Sequence, residues 1–102
     1  MPHFLMFYDL APDYLERRAA LREGHLAYAW AAAERGELVL GGALADPADQ
    51  AVLLFAGETP DVADAFAEGD PYVIHGLVTG WTIRAWTTVV GAGAAMPVGK
   101  PG

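Results

Sequence analysis

The chain has 102 residues, no cysteine and an apolar share of 54%, which bounds it to one small domain without disulfides, thiolate chemistry or a cysteine-based metal site. Thirteen acidic residues against six basic ones give a formal charge of −7, a balance that argues against nucleic acid and anionic membrane surfaces as partners. So high an apolar content in so short a chain predicts burial against something besides itself, most simply a second copy.

His3 to Asp9 reads as a strand with apolar side chains on both faces, Leu5 and Phe7 on one, Phe4, Met6 and Tyr8 on the other. Leu10 to Asp13 turns into a long helix running to about Arg35, with Asp13 as cap or first-turn acid and Gly36 as the C-terminal stop. At about 100° per residue, Leu15, Ala19, Leu26 and Ala33 fall together and predict the buried stripe of this helix. Arg22 then lies inside the stripe and Arg18 and His25 on one flank, whereas Glu16, Arg17, Glu23 and Glu34 point elsewhere. A helix meant only for packing has no need of that cationic wedge, although arginine can lie along a packed surface and a lone histidine at a core boundary is more often structural. Gly24 costs about 1 kcal/mol relative to alanine in mid-helix and predicts close approach of another backbone or a ligand beside His25.

Glu37 to Ala45 reads as a second strand whose paired Gly41 and Gly42 mark a bulge or room cleared for a ligand. Asp46 to Gln50 is a turn, and Ala51 to Ala56 a third strand, apolar on both faces, so that strands two and three form a hairpin. Thr59 as cap and Pro60 at the first helical position start a short helix that ends by Glu68-Gly69, and Asp70-Pro71 begins one further turn. Leu77 to Thr88 is the last strand, with Trp81 on one face and Trp86 on the other. Residues 1–90 make the expected domain, and 91–102, rich in glycine and proline without periodicity, a loose tail. The N-terminus lacks a basic signal region and no apolar run approaches the roughly 20 residues of a membrane span, so the cytoplasm is the expected location.

The order β-α-β-β-α-β predicts an α+β fold of ferredoxin-like plan, a four-stranded antiparallel sheet with two helices on one face. Two helices cover one face only. Because the first and third strands are apolar on both, the other face is expected to be buried by a second protomer, giving a homodimer that packs sheet to sheet.

The chain resembles the YciI-like (YCII-related) family, small proteins of the dimeric ferredoxin-like α+β barrel class. The resemblance rests on Arg18, Arg22, His25 and Leu26 in the first helix, Gly36, Leu38, Gly41 and Gly42 around the second strand, and Asp70-Pro71-Tyr72 after the second helix. It implies a His and Asp pair in a cleft, His25 and Asp70 in this chain, and relatives that include a dehydrochlorinase acting on chlorinated hydroxyquinol. Two positions depart from the family pattern: Gly24, where alanine is usual, and Ala43, where proline is frequent.

A histidine oriented by a carboxylate acts as a general base near neutral pH, since the carboxylate fixes the tautomer and stabilises the imidazolium. Arg18 and Arg22 suit the carboxylate, enolate or phenolate of a small substrate, with Gly41, Gly42 and Tyr72 as further candidate lining. Asp before Pro is equally well explained as a helix cap, and Tyr72 as packing. His3 and His75 lack metal-ligand spacing, and nothing in the residues selects haem, with His25 as axial ligand, over no cofactor at all; the expectation is no metal and no cofactor. Two readings stay open: a cofactor-free lyase or isomerase acting through His25 and Asp70 on a small anionic aromatic or enolisable metabolite, and a non-enzymatic dimeric module that binds a small molecule or serves a partner enzyme.

Overall fold

The computed structural model describes residues 1–101. Its elements are β1 (His3–Leu10), α1 (Tyr14–Glu34), β2 (Leu38–Ala43), β3 (Gln50–Ala56), α2 (Asp61–Gly69), α3 (Pro71–Ile74) and β4 (Val78–Trp86). The four strands form one sheet in the order β2-β3-β1-β4, with every neighbouring pair antiparallel. This is the ferredoxin-like plan, with α3 a single turn attached to the end of α2.

Strand alternation builds the core. Phe4, Met6 and Tyr8 of β1 and Leu53 and Phe55 of β3 are buried on the helix side, where Phe66 and Ala63 of α2 and Leu77 join them. Leu5 and Phe7 pair across β1 and β3 with Leu54 and Val52 on the opposite face, which also carries Thr82, Arg84 and Trp86 of β4 and has no layer over it. Trp81 packs on the core side, as the period of two requires, with its Nε1 donating to Asp64 Oδ1 at 3.0 Å.

α1 ends one residue before its C-cap Arg35, and Gly36 follows with φ 80° in the left-handed region that suits glycine. Asp13 occupies the N-cap position without a capping hydrogen bond and instead lies 3.7 Å from Arg17. The buried stripe of α1 is not the expected one. Leu15 is 58% and Leu26 40% exposed, and Ala19 is exposed too, with Ala33 partly covered. The sheet is faced instead by Tyr14, Arg18, Leu21, His25, Tyr28 and Ala32, which recur at alternating steps of four and three. Arg18 and His25 therefore stand on the packed line, and Arg22 at its edge, the reverse of the expected arrangement. The physical reason is that seven alanines spread around the helix leave two faces apolar enough to bury, and the aromatic Tyr14 and Tyr28, not Leu15 and Leu26, fill the space above the sheet.

Other differences are local. The register shift in β2 falls between Leu38 and Leu40, ahead of Gly41 and Gly42 rather than at them. Nothing lies within 4 Å of a Cβ built at Gly24, so no backbone approaches there and nothing in the structure explains that glycine. Arg17, expected to point to solvent, is exposed but donates from Nη2 to the His75 carbonyl at 2.7 Å, tying α1 to the end of α3. Beyond β4 the chain doubles back: Met96 N–H donates to the Thr88 carbonyl at 3.0 Å and Val98 N–H to that of Val89 at 2.8 Å. Thr88 Oγ1 accepts from Ala95 N–H at 2.8 Å and lies 2.7 Å from Nδ1 of His3, which is buried. Of the expected tail, Gly102 lies outside the described residues. Among the described residues no helix is long and apolar enough to cross a membrane.

Two glycines make opposite predictions. A Cβ on Gly69 would overlap the Tyr28 hydroxyl, so Gly69→Ala should destabilise by about 1–3 kcal/mol through overpacking. Gly24→Ala meets nothing and should stabilise by about 0.4–1 kcal/mol. Chemical denaturation of both variants checks the pair; equal and opposite signs to these would refute the packing described.

Candidate functional site

The site begins where α2 stops. Gly69 is the last residue of that helix, and the Tyr28 ring from α1 occupies the place of its missing side chain, with Tyr28 Oη donating to the Phe66 carbonyl at 2.9 Å. The backbone then extends at Asp70 (φ −71°, ψ 124°), and Pro71, with no N–H to leave unpaired, opens α3. Asp70 is thus the N-cap of α3: its Oδ1 accepts from Tyr72 N–H at 3.0 Å.

The same carboxylate does more than cap. Asp70 is 0% exposed, lies with Oδ1 2.7 Å from His25 Nδ1, and accepts at Oδ2 from the Tyr8 hydroxyl at 2.9 Å. Three donors from α1, β1 and α3 therefore converge on one buried carboxylate, the condition under which a charge is tolerated away from water. An ionised carboxylate only accepts, so His25 Nδ1 carries the proton in this pair and Nε2 of the neutral ring keeps its lone pair. The His25 ring is stacked on Tyr72, centroids 3.8 Å apart and planes 3° from parallel. Tyr14 meets Tyr72 edge to face at 5.9 Å, and the Arg18 guanidinium lies 5.7 Å from the Tyr14 ring centroid. The imidazole is held at its Nδ1 edge by a carboxylate and on one face by a ring.

Nε2 makes no hydrogen bond among the described residues, and the His25 side chain keeps 16% of its surface. That surface opens into a cavity of about 340 Å³ between α1, α3 and the helix-side face of β2 and β3, within the size range of small-molecule pockets. Arg18, Arg22, Tyr72 and Leu53 line it, as do Tyr8, Leu26 and the backbone of Gly41 and Gly42. Arg17 and Arg35 have carboxylate partners, whereas neither Arg18 nor Arg22 has one among the described residues. The cavity therefore carries two uncompensated cations in a chain of net charge −7.

The phenols respond to this environment. Burial, and then the Asp70 charge and hydrogen bond, hold the Tyr8 hydroxyl protonated far above its usual range. Burial likewise raises Tyr28, with Asp70 adding to it. Burial and Tyr14 raise Tyr72, and the Arg22 and Arg18 charges offset part of that rise.

The candidate residues His25, Asp70, Arg18, Arg22, Tyr72 and Gly41 thus come together around one space. Gly42 contributes differently: it stands across from Val52, on the open face of the sheet, so only its backbone borders the cavity. Tyr8 and Tyr14 were not singled out in the sequence. The available signal was Tyr8 itself, a phenol on the buried side of a central strand, which requires a polar partner. No group of three or more His, Asp or Glu suited to a metal ion occurs among the described residues.

No curated protein matches the chain. Among solved structures, the 5-chloro-2-hydroxyhydroquinone dehydrochlorinase TftG of Burkholderia phenoliruptrix, in complex with 2,5-dihydroxybenzoquinone, is similar with a TM-score of 0.71 and 22% identity over 84% of this chain and 94% of that one. A proposed antibiotic biosynthesis monooxygenase from Nitrosomonas europaea is similar with a TM-score of 0.57 and 15% identity over 84% and 96%. A NIPSNAP family protein from Agrobacterium tumefaciens gives a TM-score of 0.56 and 13% identity over 93% and 97%. At such identities the likeness is one of fold. The YCII-related domain matches residues 1–87, all seven elements in full, and the chain belongs to the YCII-related family.

Proposed function

We propose that this protein is a cofactor-free lyase or isomerase that uses His25 as general base, oriented by Asp70, on a small anionic aromatic or enolisable metabolite. The observation that carries the reading is the His25 imidazole, which lines a cavity, is fixed at Nδ1 by a buried carboxylate 2.7 Å away and has no partner at Nε2 among the described residues. A catalytic base needs that combination of orientation and access.

In the proposed reaction Nε2 takes a proton from a hydroxyl or from carbon beside a carbonyl. The imidazolium that forms is stabilised by Asp70, whose own charge is held by Tyr8 and Tyr72 N–H. The electron pair left on the substrate delocalises onto oxygen as an enolate or phenolate, which Arg18 and Arg22 bind. Departure of an anionic leaving group completes an elimination, and return of the proton to another carbon completes an isomerisation. The dehydrochlorination of a chlorinated hydroxyquinol by a structurally similar protein is chemistry of this kind, and its quinone ligand is a flat anion of suitable size.

We further propose a homodimer. Leu5, Phe7, Val52 and Leu54 line a sheet face with no layer over it, and Trp86 on that face is 47% exposed, a surface a second sheet would cover. Light scattering at micromolar concentration should give twice the chain's 10.8 kDa; a stable monomer would contradict this.

With 5-chloro-2-hydroxyhydroquinone as substrate and chloride release as readout, His25→Gln and Asp70→Asn should each lower turnover by about a hundredfold or more. Binding of 2,5-dihydroxybenzoquinone, followed by calorimetry, should change much less. Binding without turnover in the unaltered protein would favour a binding module, and full activity in Asp70→Asn would leave Asp70 a helix cap only.

Tyr8→Phe removes a hydrogen bond to a buried charge and should destabilise at neutral pH by about 1.5–3 kcal/mol. Unfolded Tyr8 ionises near 10.0, but the folded hydroxyl keeps its proton well above that. The folded state then binds more protons, so stability is full below pH 10 and falls as pH rises beyond it. Tyr8→Phe should flatten that alkaline decline, measured by denaturant melts at a series of pH values; an unchanged slope would remove Tyr8 from the network.

A further inference from the structure

We infer that Gly41 sets the size of ligand the cavity admits, a deepening that rests on reading the cavity as the ligand site. Gly69 beside Asp70 has a structural reason, since a Cβ there would overlap the Tyr28 hydroxyl, and Gly42 points to the other face of the sheet. Gly41 has no such reason: its φ lies outside the left-handed region, and an added Cβ would sit 3.5 Å from Leu53 Cγ and 3.7 Å from Leu38 Cδ1, an ordinary contact. Within a strand a glycine forgoes both side-chain packing and strand propensity, so backbone and core alike would accept a larger residue.

The register explains what the missing side chain leaves open. Gly41 pairs with Leu53, and Ala43 with Ala51, on the helix side of the sheet, where all four residues border the cavity. The β2 wall is consequently bare backbone and methyl, facing the His25 imidazole and the two unpaired guanidinium groups of α1 across the cavity. Side-chain atoms at position 41 beyond Cβ would enter that space, because Leu53 and Leu38 already occupy the flanks. The bare wall leaves room for a planar ring whose anionic oxygens reach Arg18 and Arg22. Residue 41 thus governs ring size without touching the proton-transfer pair, and a larger residue would convert a ring site into a site for smaller anions.

The test compares two planar dianions by calorimetry: 2,5-dihydroxybenzoquinone, with a six-membered ring, and squarate, with a four-membered one. Gly41→Val should keep or raise the thermal midpoint, weaken the benzoquinone by about tenfold or more and leave squarate within about twofold. Gly41→Ala should show a smaller shift in the same ratio, which keeps the test available if the valine variant fails to fold. Equal weakening of both probes, or no weakening of either, would overturn the inference. A benzoquinone that binds and responds to residue 41 but is never turned over would sustain the size limit while refuting the proposed catalysis.

Discussion

The structure turns on one buried carboxylate. Asp70 lies at the junction of α2 and α3 with no exposed surface, and an unpaired charge in that position would cost several kcal/mol. Its oxygens are met by Tyr8 from the central strand, by the backbone of Tyr72 and by His25 from α1. Sheet, long helix and short helix are each fastened to it, so the group that orients the imidazole is also one that locates the elements around it. Fold and site share the same hydrogen bonds.

Much of the architecture was legible because its signals are local. Pro60 and Pro71 behind capping residues mark the helix starts, Gly36 marks the end of α1, and apolar residues on both faces of β1 and β3 indicate central strands, which the order β2-β3-β1-β4 makes them. The β-α-β-β-α-β order then leaves few topologies. The phase of α1 was not legible. With alanines all around the helix, periodicity alone gave Leu15 and Leu26 the sheet-facing role that belongs to Tyr14, Leu21 and Tyr28. The choice between two apolar faces depends on the volume above the sheet, a tertiary quantity.

The site was legible unevenly for the same reason. His25 and Asp70 stood out from an imidazole beside cations and a carboxylate at a turn, together with the family resemblance. Tyr8 was read as core, and it is core, but its hydroxyl became meaningful only once the strand register set it beside Asp70. Gly41 and Gly42 look identical in sequence. Pairing with Leu53 and Val52 assigns them to opposite faces of the sheet, so one lines the cavity with its missing side chain and the other with backbone alone.

Asp70 fixes the tautomer of His25 so that Nε2 is the free base. Long-range proton–nitrogen NMR of the neutral ring reads this directly. The protonated nitrogen should be Nδ1, and in Asp70→Asn that preference should weaken or vanish while Tyr72 still packs against the ring. A neutral His25 protonated at Nε2 in the unaltered protein, or a tautomer indifferent to Asp70→Asn, would contradict it.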